Sequence, residues 1–304
     1  MNEVVKVIVN IFYMLYLWLE AVVLQFVPRK LRYKELDGEI VLITGGGSGI
    51  GRLLALRFAG VGCRVVIWDV NEEGNLETQQ QVKSRGGECH SYVCDVTDRE
   101  KVYAVARKVK EEVGPVTILV NNAGIVTGKN LLDIPDHLIE KTFQVNVIAH
   151  FWTLKAFLPD MISRNHGHIV TISSLAGFSG INRLSDYCAS KSAAITAHES
   201  LHFELKNDNV SGIKLTLVAP FFINTGLFEG ADGGYFSVLT PEYVADEIIS
   251  GVRCNQETVI LPSIFGAIVM VKAIMPVTAY SVYYELLQGY NAMKNFVGRS
   301  RKND

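Results

Sequence analysis

Residues 40–51 read IVLITGGGSGIG: a short apolar run, Thr44, and then a turn crowded with glycine. An apolar run this short, rich in β-branched residues and closed by glycine, predicts a buried strand entering a tight turn. The amphipathic stretch near 50–60 then predicts a helix opening directly from the turn. Gly45 lets the chain reverse, while Gly49 and Gly51 let backbone and pyrophosphate approach each other at the helix N-terminus. Ser48 and Ile50 complete the turn. Glycines alone would serve any tight turn, and the strand-turn-helix setting selects the dinucleotide reading.

Outward from this stretch the pattern repeats. Candidate strands fall at 40–44, 64–68, 89–94, 117–121, 168–173, 213–219 and 258–261. Helical patterns lie near 50–60, 72–85, 98–113, 138–163, 187–206 and 241–252. Mostly apolar strands alternating with helices predict a single α/β domain: a doubly wound, parallel, seven-stranded sheet of Rossmann type covered on both faces. Residues 221–239 form a long glycine-bearing insertion after the sixth strand, at the edge where such sheets bind ligands.

Asp69 ends the second strand, eighteen residues past Gly51. A carboxylate there accepts hydrogen bonds from adenosine ribose hydroxyls and repels a 2′-phosphate, so NAD is expected rather than NADP. Asp95, after Cys94, and the Asn121 to Gly124 run end the third and fourth strands. These positions suit the adenine side and the floor of a cofactor cleft, or equally a sheet-edge cap.

Tyr187 and Lys191 stand at i and i+4, on one face of a predicted helix, with Ser174 at the end of the fifth strand. A phenol is a poor base at neutral pH, because its ordinary pKa is about 10. A nearby ammonium and an oxidised nicotinamide are expected to lower that value. Tyr187 would then take an alcohol proton as hydride leaves carbon, with Ser174 holding the same oxygen and Lys191 reaching the nicotinamide ribose. Phe221 and Phe222 are candidate substrate contacts.

These segments resemble the short-chain dehydrogenase/reductase family across roughly 37–262. The match is carried by TGGGSGIG, CDV, NNAG, Asn146 within VNV, ISS ending at Ser174, and YCASK from Tyr187 to Lys191. The resemblance implies a catalytic tetrad of Asn146, Ser174, Tyr187 and Lys191, with Asn146 supporting a water relay to the lysine. It also implies that Val96, Asn122, Ala123, Gly124, Pro220, Ile223 and Thr225 line the cofactor site. GEIVLITG, NNAGIVTGK, NHGHIV and PFFINTGLFEG are similar to a membrane-bound branch of retinol and lipid-droplet 17-beta-hydroxysteroid dehydrogenases. One departure stands out: Phe221 follows Pro220 where many family members carry glycine. A homodimer packed along the helices near 98–113 and 138–163 is a further implication.

The termini hold the apolar excess behind a mean hydropathy of +0.21. Residues 7–27, VIVNIFYMLYLWLEAVVLQFV, form a nearly continuous apolar segment. As a helix it would reach about 30 Å, the thickness of a bilayer core. Glu3, Lys6, Asn10, Glu20 and Gln25 share one wedge of that helix, which suits one lying in the interface better than one crossing it. Arg29, Lys30, Arg32 and Lys34 follow, so a spanning helix would leave the main domain in the cytosol. The expected organisation is an anchor and basic linker at 1–36, the dehydrogenase domain at 37–262, and an apolar, amphipathic tail at 263–304. The tail runs from an interfacial stretch at 264–275 through four tyrosines to Lys294, Arg299, Arg301 and Lys302. The expected location is the endoplasmic reticulum membrane or a lipid-droplet surface.

A formal net charge of -2 gives no global attraction to nucleic acid. Five scattered cysteines support neither a disulfide framework nor a zinc site, and His166 and His168 read as a strand entry rather than metal ligands. The leading expectation is therefore NAD-dependent oxidation of a lipophilic alcohol, all-trans-retinol foremost. A 17-beta-hydroxysteroid or other lipid alcohol is the alternative within the same chemistry. A lipid-droplet scaffold without catalysis is the alternative outside it, and the intact Ser174, Tyr187 and Lys191 count against it.

Overall fold

The computed structural model describes residues 3–298; Arg299, Arg301 and Lys302 of the basic tail lie outside the described residues. Internal contacts divide the chain into residues 1–35 and 36–304. In the first unit, α1 (Glu3–Leu24) is one continuous helix with no buried residue. An 18-residue window within it has a mean hydropathy of 2.1, so its length and composition suffice to cross a membrane. The Arg32 guanidinium donates to the Leu24 carbonyl at 2.9 Å, satisfying an acceptor the helix end leaves open.

In the second unit, seven strands form one parallel sheet in the order β3-β2-β1-β4-β5-β6-β7. They are β1 (Ile40–Thr44), β2 (Arg64–Asp69), β3 (Cys89–Val93), β4 (Ile118–Asn121), β5 (Gly167–Ile172), β6 (Ile213–Pro220) and β7 (Thr258–Leu261). Val41 sits opposite Val65 on one side and Ile118 on the other, which makes β1 central. Its side chains alternate between two cores because successive strand residues face opposite ways. Val41 and Ile43 pack with Leu54 and Phe58 of α2 (Gly49–Gly60) and Ile248 of α8 (Pro241–Arg253). Ile40 and Leu42 pack with Val109 of α4 (Arg99–Glu112), Met161 of α6 (Ala149–Arg164) and Leu205 of α7 (Ser185–Asn207). The remaining cover is α3 (Glu72–Ser84) and α5 (Asp136–Phe143). Strand order reverses between β1 and β4, which opens a crevice at their carboxyl ends.

The helix expected near 138–163 is interrupted. A π turn at Gln144–Ile148 separates α5 from α6, and Asn146 lies inside it. Such turns leave backbone groups out of the regular ladder and concentrate at functional sites. The 221–239 insertion is drawn back to the sheet by a bridge between Ile223 and Leu239. After β7 come α9 (Ile264–Ile274) and α10 (Val277–Leu286), and then a turn-rich segment to Gly298. That segment is bonded to the insertion: the Asp232 N–H donates to the Ala292 carbonyl at 2.8 Å, and the Val297 N–H to the Glu229 carbonyl at 2.9 Å. Ile274 and Val277, each 84% exposed, leave α9 and α10 with an open apolar surface.

His166 lies 3.0 Å from the Glu39 carboxylate, and the buried His168 ring bonds Thr216 at 2.8 Å. They serve the entry to β5.

Candidate active site

The crevice is a cleft of about 580 Å³ whose floor is the glycine turn. Gly45 and Gly49 have φ of 68° and 54°, left-handed values that glycine adopts without strain. A Cβ built on Gly51 would fall 2.1 Å from the Gly45 carbonyl oxygen, so only glycine lets the helix start this close to the turn. Ser48, extended at φ -161°, precedes the first turn of α2. Ser48, Ile50, Asn122, Ala123 and Gly124 face the cleft with these glycines. Thr44 couples the two central strands: its hydroxyl oxygen accepts from the Asn122 and Ala123 N–H groups at 3.0 Å each. The Asn122 amide in turn donates to the Thr44 carbonyl at 2.8 Å.

Asp69 lines the cleft while its carboxylate accepts from the Gly47 and Asn71 N–H groups, both at 3.0 Å. The same carboxylate therefore shapes the glycine turn. Arg52, a basic group near this turn that sequence reading passed over, donates to the Gly47 carbonyl and Thr78 and pairs with Glu77. Asp95 and Val96 border the cleft on the far side. Burial pushes the Asp95 carboxyl up, but hydrogen bonds from Thr97 and the Lys141 ammonium outweigh it and hold the group below its ordinary range. Pro220, Phe221, Ile223 and Thr225 complete the rim.

At the inner end, Ser174, Tyr187 and Lys191 converge on the same cleft. Ser174 caps a short helical turn, accepting from the Ala176 N–H at 3.2 Å. Tyr187 and Lys191 lie on the first turns of α7, 4% and 3% exposed. The Lys191 ammonium donates to the Ile172 carbonyl at 2.9 Å and stands 5.7 Å from the Tyr187 ring centroid. Burial lowers the Lys191 pKa to about 8. Tyr187 differs from the sequence expectation of a lowered pKa. Its burial raises the value, and hydrogen bonding with Ser174 opposes the rise without overcoming it. Among this chain's own groups, desolvation of the phenolate outweighs the stabilisation they provide.

Asn146 lies behind the cleft, fully buried. Its amide donates to the Ile125 carbonyl and to Ser190 at 3.0 Å each, and its oxygen accepts from the Ile125 N–H at 2.9 Å. Both donors are thus committed, so any relay water would have to donate to its oxygen. The Asn146 oxygen and the Lys191 nitrogen both face the space beside Gly124, where a Cβ would lie 3.4 and 3.5 Å from them.

Sequence reading missed three contributors. Asp186, at the start of α7, is buried and accepts from Thr127 at 2.8 Å and Thr142 at 3.1 Å, which fixes the helix entry beside Tyr187. The Phe228 ring packs edge-on against the Tyr187 ring. Met293, fully buried, joins Tyr187 and Phe222 in one apolar cluster, with Phe296 packed on its edge. An acidic residue in a first helical turn is a faint signal for Asp186. No local pattern marks Phe228 or Met293.

A family model described as short chain dehydrogenase matches residues 39–233, and the chain belongs to that family. It is accordingly an oxidoreductase of an NAD(P)-binding fold. The chain is 50% identical over 273 residues to mouse (Mus musculus) epidermal retinol dehydrogenase 2, covering 88% of each. It is 44% identical over 258 residues to human (Homo sapiens) estradiol 17-beta-dehydrogenase 11, covering 85% of each. Among solved structures it is similar to a Burkholderia phymatum short-chain dehydrogenase/reductase in complex with NAD. That match has a TM-score of 0.72 and 27% identity, and covers 78% of this chain and 93% of the other. A metagenomic short-chain oxidoreductase in complex with NADP matches with a TM-score of 0.63 and 28% identity, covering 75% and 98%.

Proposed function

We propose that this chain oxidises a lipophilic alcohol, all-trans-retinol foremost, to the aldehyde with NAD, using Tyr187 as general base. The observation that carries this reading is the convergence of Ser174, Tyr187 and Lys191 at the inner end of a cleft whose outer end is a glycine cradle with Asp69. The cradle fits a dinucleotide: the α2 N-terminus faces the cleft, and the Gly51 position admits no side chain. The Asp69 carboxylate suits free ribose hydroxyls and disfavours a 2′-phosphate, while Arg52, a basic side chain bonded to the turn, is already paired with Glu77.

When bound, NAD supplies the hydride acceptor and a positively charged ring. The Ser174 hydroxyl, beside Tyr187, holds the substrate oxygen. Tyr187 takes the proton from that oxygen, a task its raised pKa suits only once positive charge stands nearby. Lys191 contributes part of that charge from one turn along α7. Asn146 fixes the Ile125 backbone and Ser190, holding the β4 end and α7 at constant separation. Phe221 and Phe228 give the substrate side an apolar wall, with Phe222 packed against both.

The relatives named for retinol and estradiol support an apolar substrate and define the competing steroid reading. The exposed apolar α1 supports attachment to a membrane or lipid-droplet surface. The test is turnover by membranes carrying the full chain, with retinol and estradiol each offered NAD and NADP. Retinal formed with NAD is expected. Oxidation of estradiol alone would overturn the retinoid reading, and a preference for NADP would overturn the role given to Asp69.

A further inference from the structure

Beside the cleft lies a second cavity of about 100 Å³, between the 221–239 insertion and α9–α10. Phe236, Phe265, Val269 and Leu287 are among its walls. Of the residues lining it, Phe221 alone also lines the cleft, so this ring is the partition between the two spaces. The partition is held by other rings. Phe265 lies nearly parallel to it at 4.8 Å and 24°, Phe222 is at 4.7 Å, and Phe236 is at 6.2 Å. The Phe221 N–H donates to the Leu261 carbonyl at 2.8 Å, which ties the backbone to β7 and leaves the side chain as the movable part.

Several polar groups of the wall are already bonded within the protein, while Asp232 and Gln288 are exposed. The Lys272 ammonium donates to the Phe178 carbonyl at 2.5 Å, Ser179 and Tyr280 bond each other at 3.0 Å, and Tyr284 donates to Asn182 at 3.2 Å. A ligand end that carries no polar group disturbs none of these bonds. One that carries a hydroxyl must displace one of these bonds, reach Asp232 or Gln288, or bury the hydroxyl unpaired.

Resting on the lipophilic-alcohol reading above, we propose that this cavity receives the hydrocarbon end of the substrate, with Phe221 as the specificity-determining partition. A thin, flat polyene passes beside the ring. A rigid fused-ring diol such as estradiol is held back by its thickness.

The experiment uses the full chain in detergent. It compares kcat/KM for all-trans-retinol, estradiol and the short alcohol 3-methyl-2-buten-1-ol, together with retinol binding followed by its own fluorescence without added cofactor. In Phe221→Ala, kcat/KM for estradiol relative to retinol should rise about tenfold or more. Phe221→Leu keeps an apolar filler, should a cavity at this position impair folding, and should move the same ratio in the same direction. Val269→Trp, which fills the second cavity, should weaken retinol binding about tenfold and lower the retinol-to-short-alcohol ratio of kcat/KM to match. If the wild-type chain oxidises retinol but these ratios and the binding stay put, the partition is wrong while the proposed function stands. If the wild-type chain turns over the short alcohol but not retinol, both fail.

Discussion

The ring of Phe228 meets the ring of Tyr187 edge-on, their centroids 5.5 Å apart and their planes at 79°. Edge-to-face contact places the positive rim of one ring against the negative face of the other and limits rotation of both. Phe228 sits in the insertion, and Met293 and Phe296 back the same cluster from the segment after α10. The orientation of the tyrosine is therefore set from outside the sheet that carries the cofactor cradle.

Replacing Tyr187 by Phe removes the proton acceptor and keeps the ring contact. Retinol turnover should fall roughly 10²–10⁴-fold. NAD binding, followed by quenching of protein fluorescence, should change little. Turnover within twofold of wild type would exclude Tyr187 as the base.

Lys191 gives a pH test with a defined sign. Burial holds its folded pKa at about 8, whereas an exposed lysine in the unfolded chain titrates near ~10.4. Between those values the unfolded chain binds more protons, so this group's contribution to stability rises with pH from about 8 to about 10.4. Below about 8 the full cost of the buried ammonium is present. Lys191→Met should therefore raise Tm at pH 7 in cofactor-free protein, the gain should shrink towards pH 10, and the variant should be inactive. A gain independent of pH would contradict the assignment.

Asp69→Asn removes the charge and keeps one oxygen, an acceptor for either the Gly47 or the Asn71 N–H but not both. The ratio of kcat/KM with NAD to that with NADP should fall about tenfold, equivalent to ~1.4 kcal/mol. An unchanged ratio would place cofactor choice elsewhere.

Gly128 has φ of 69°, and a Cβ there would lie 1.9 Å from the Phe296 ring. Gly128→Ala should destabilise through both the left-handed backbone, at roughly 1–2 kcal/mol, and the clash. Adding Phe296→Ala should recover the clash portion, so the double variant should lose less than the sum of the two singles in thermal unfolding. Strict additivity would show that the two residues do not meet.

Removal of residues 1–27 should release the protein from the membrane pellet, because α1 is apolar and makes no buried contact. Full retention in the pellet would point to α9 and α10, whose Ile274 and Val277 are open to solvent.

The sheet was readable because each strand is a short β-branched or apolar run between glycines and polar caps. β1 and β7 fall at the expected residues, and the ends of the other strands differ by at most one residue. The glycine turn, Asp69, Ser174, Tyr187 and Lys191 carry spacing that only one arrangement of strand and helix explains. The break at Asn146 was not readable, since VNVIAHFW continues a helical pattern and a π turn costs only one extra residue. Nor were the contacts of Phe228, Met293 and Phe296, which join segments far apart along the chain and leave no local period.

Those distant contacts bear on attempts to graft this reactivity. A hybrid that takes β1 through β6 from this chain and everything later from a relative would inherit Tyr187 with a foreign brace. Exchanging residues 221–239 together with 264–298 keeps the interlocked pair intact, so the two segments should be treated as one transplantable module.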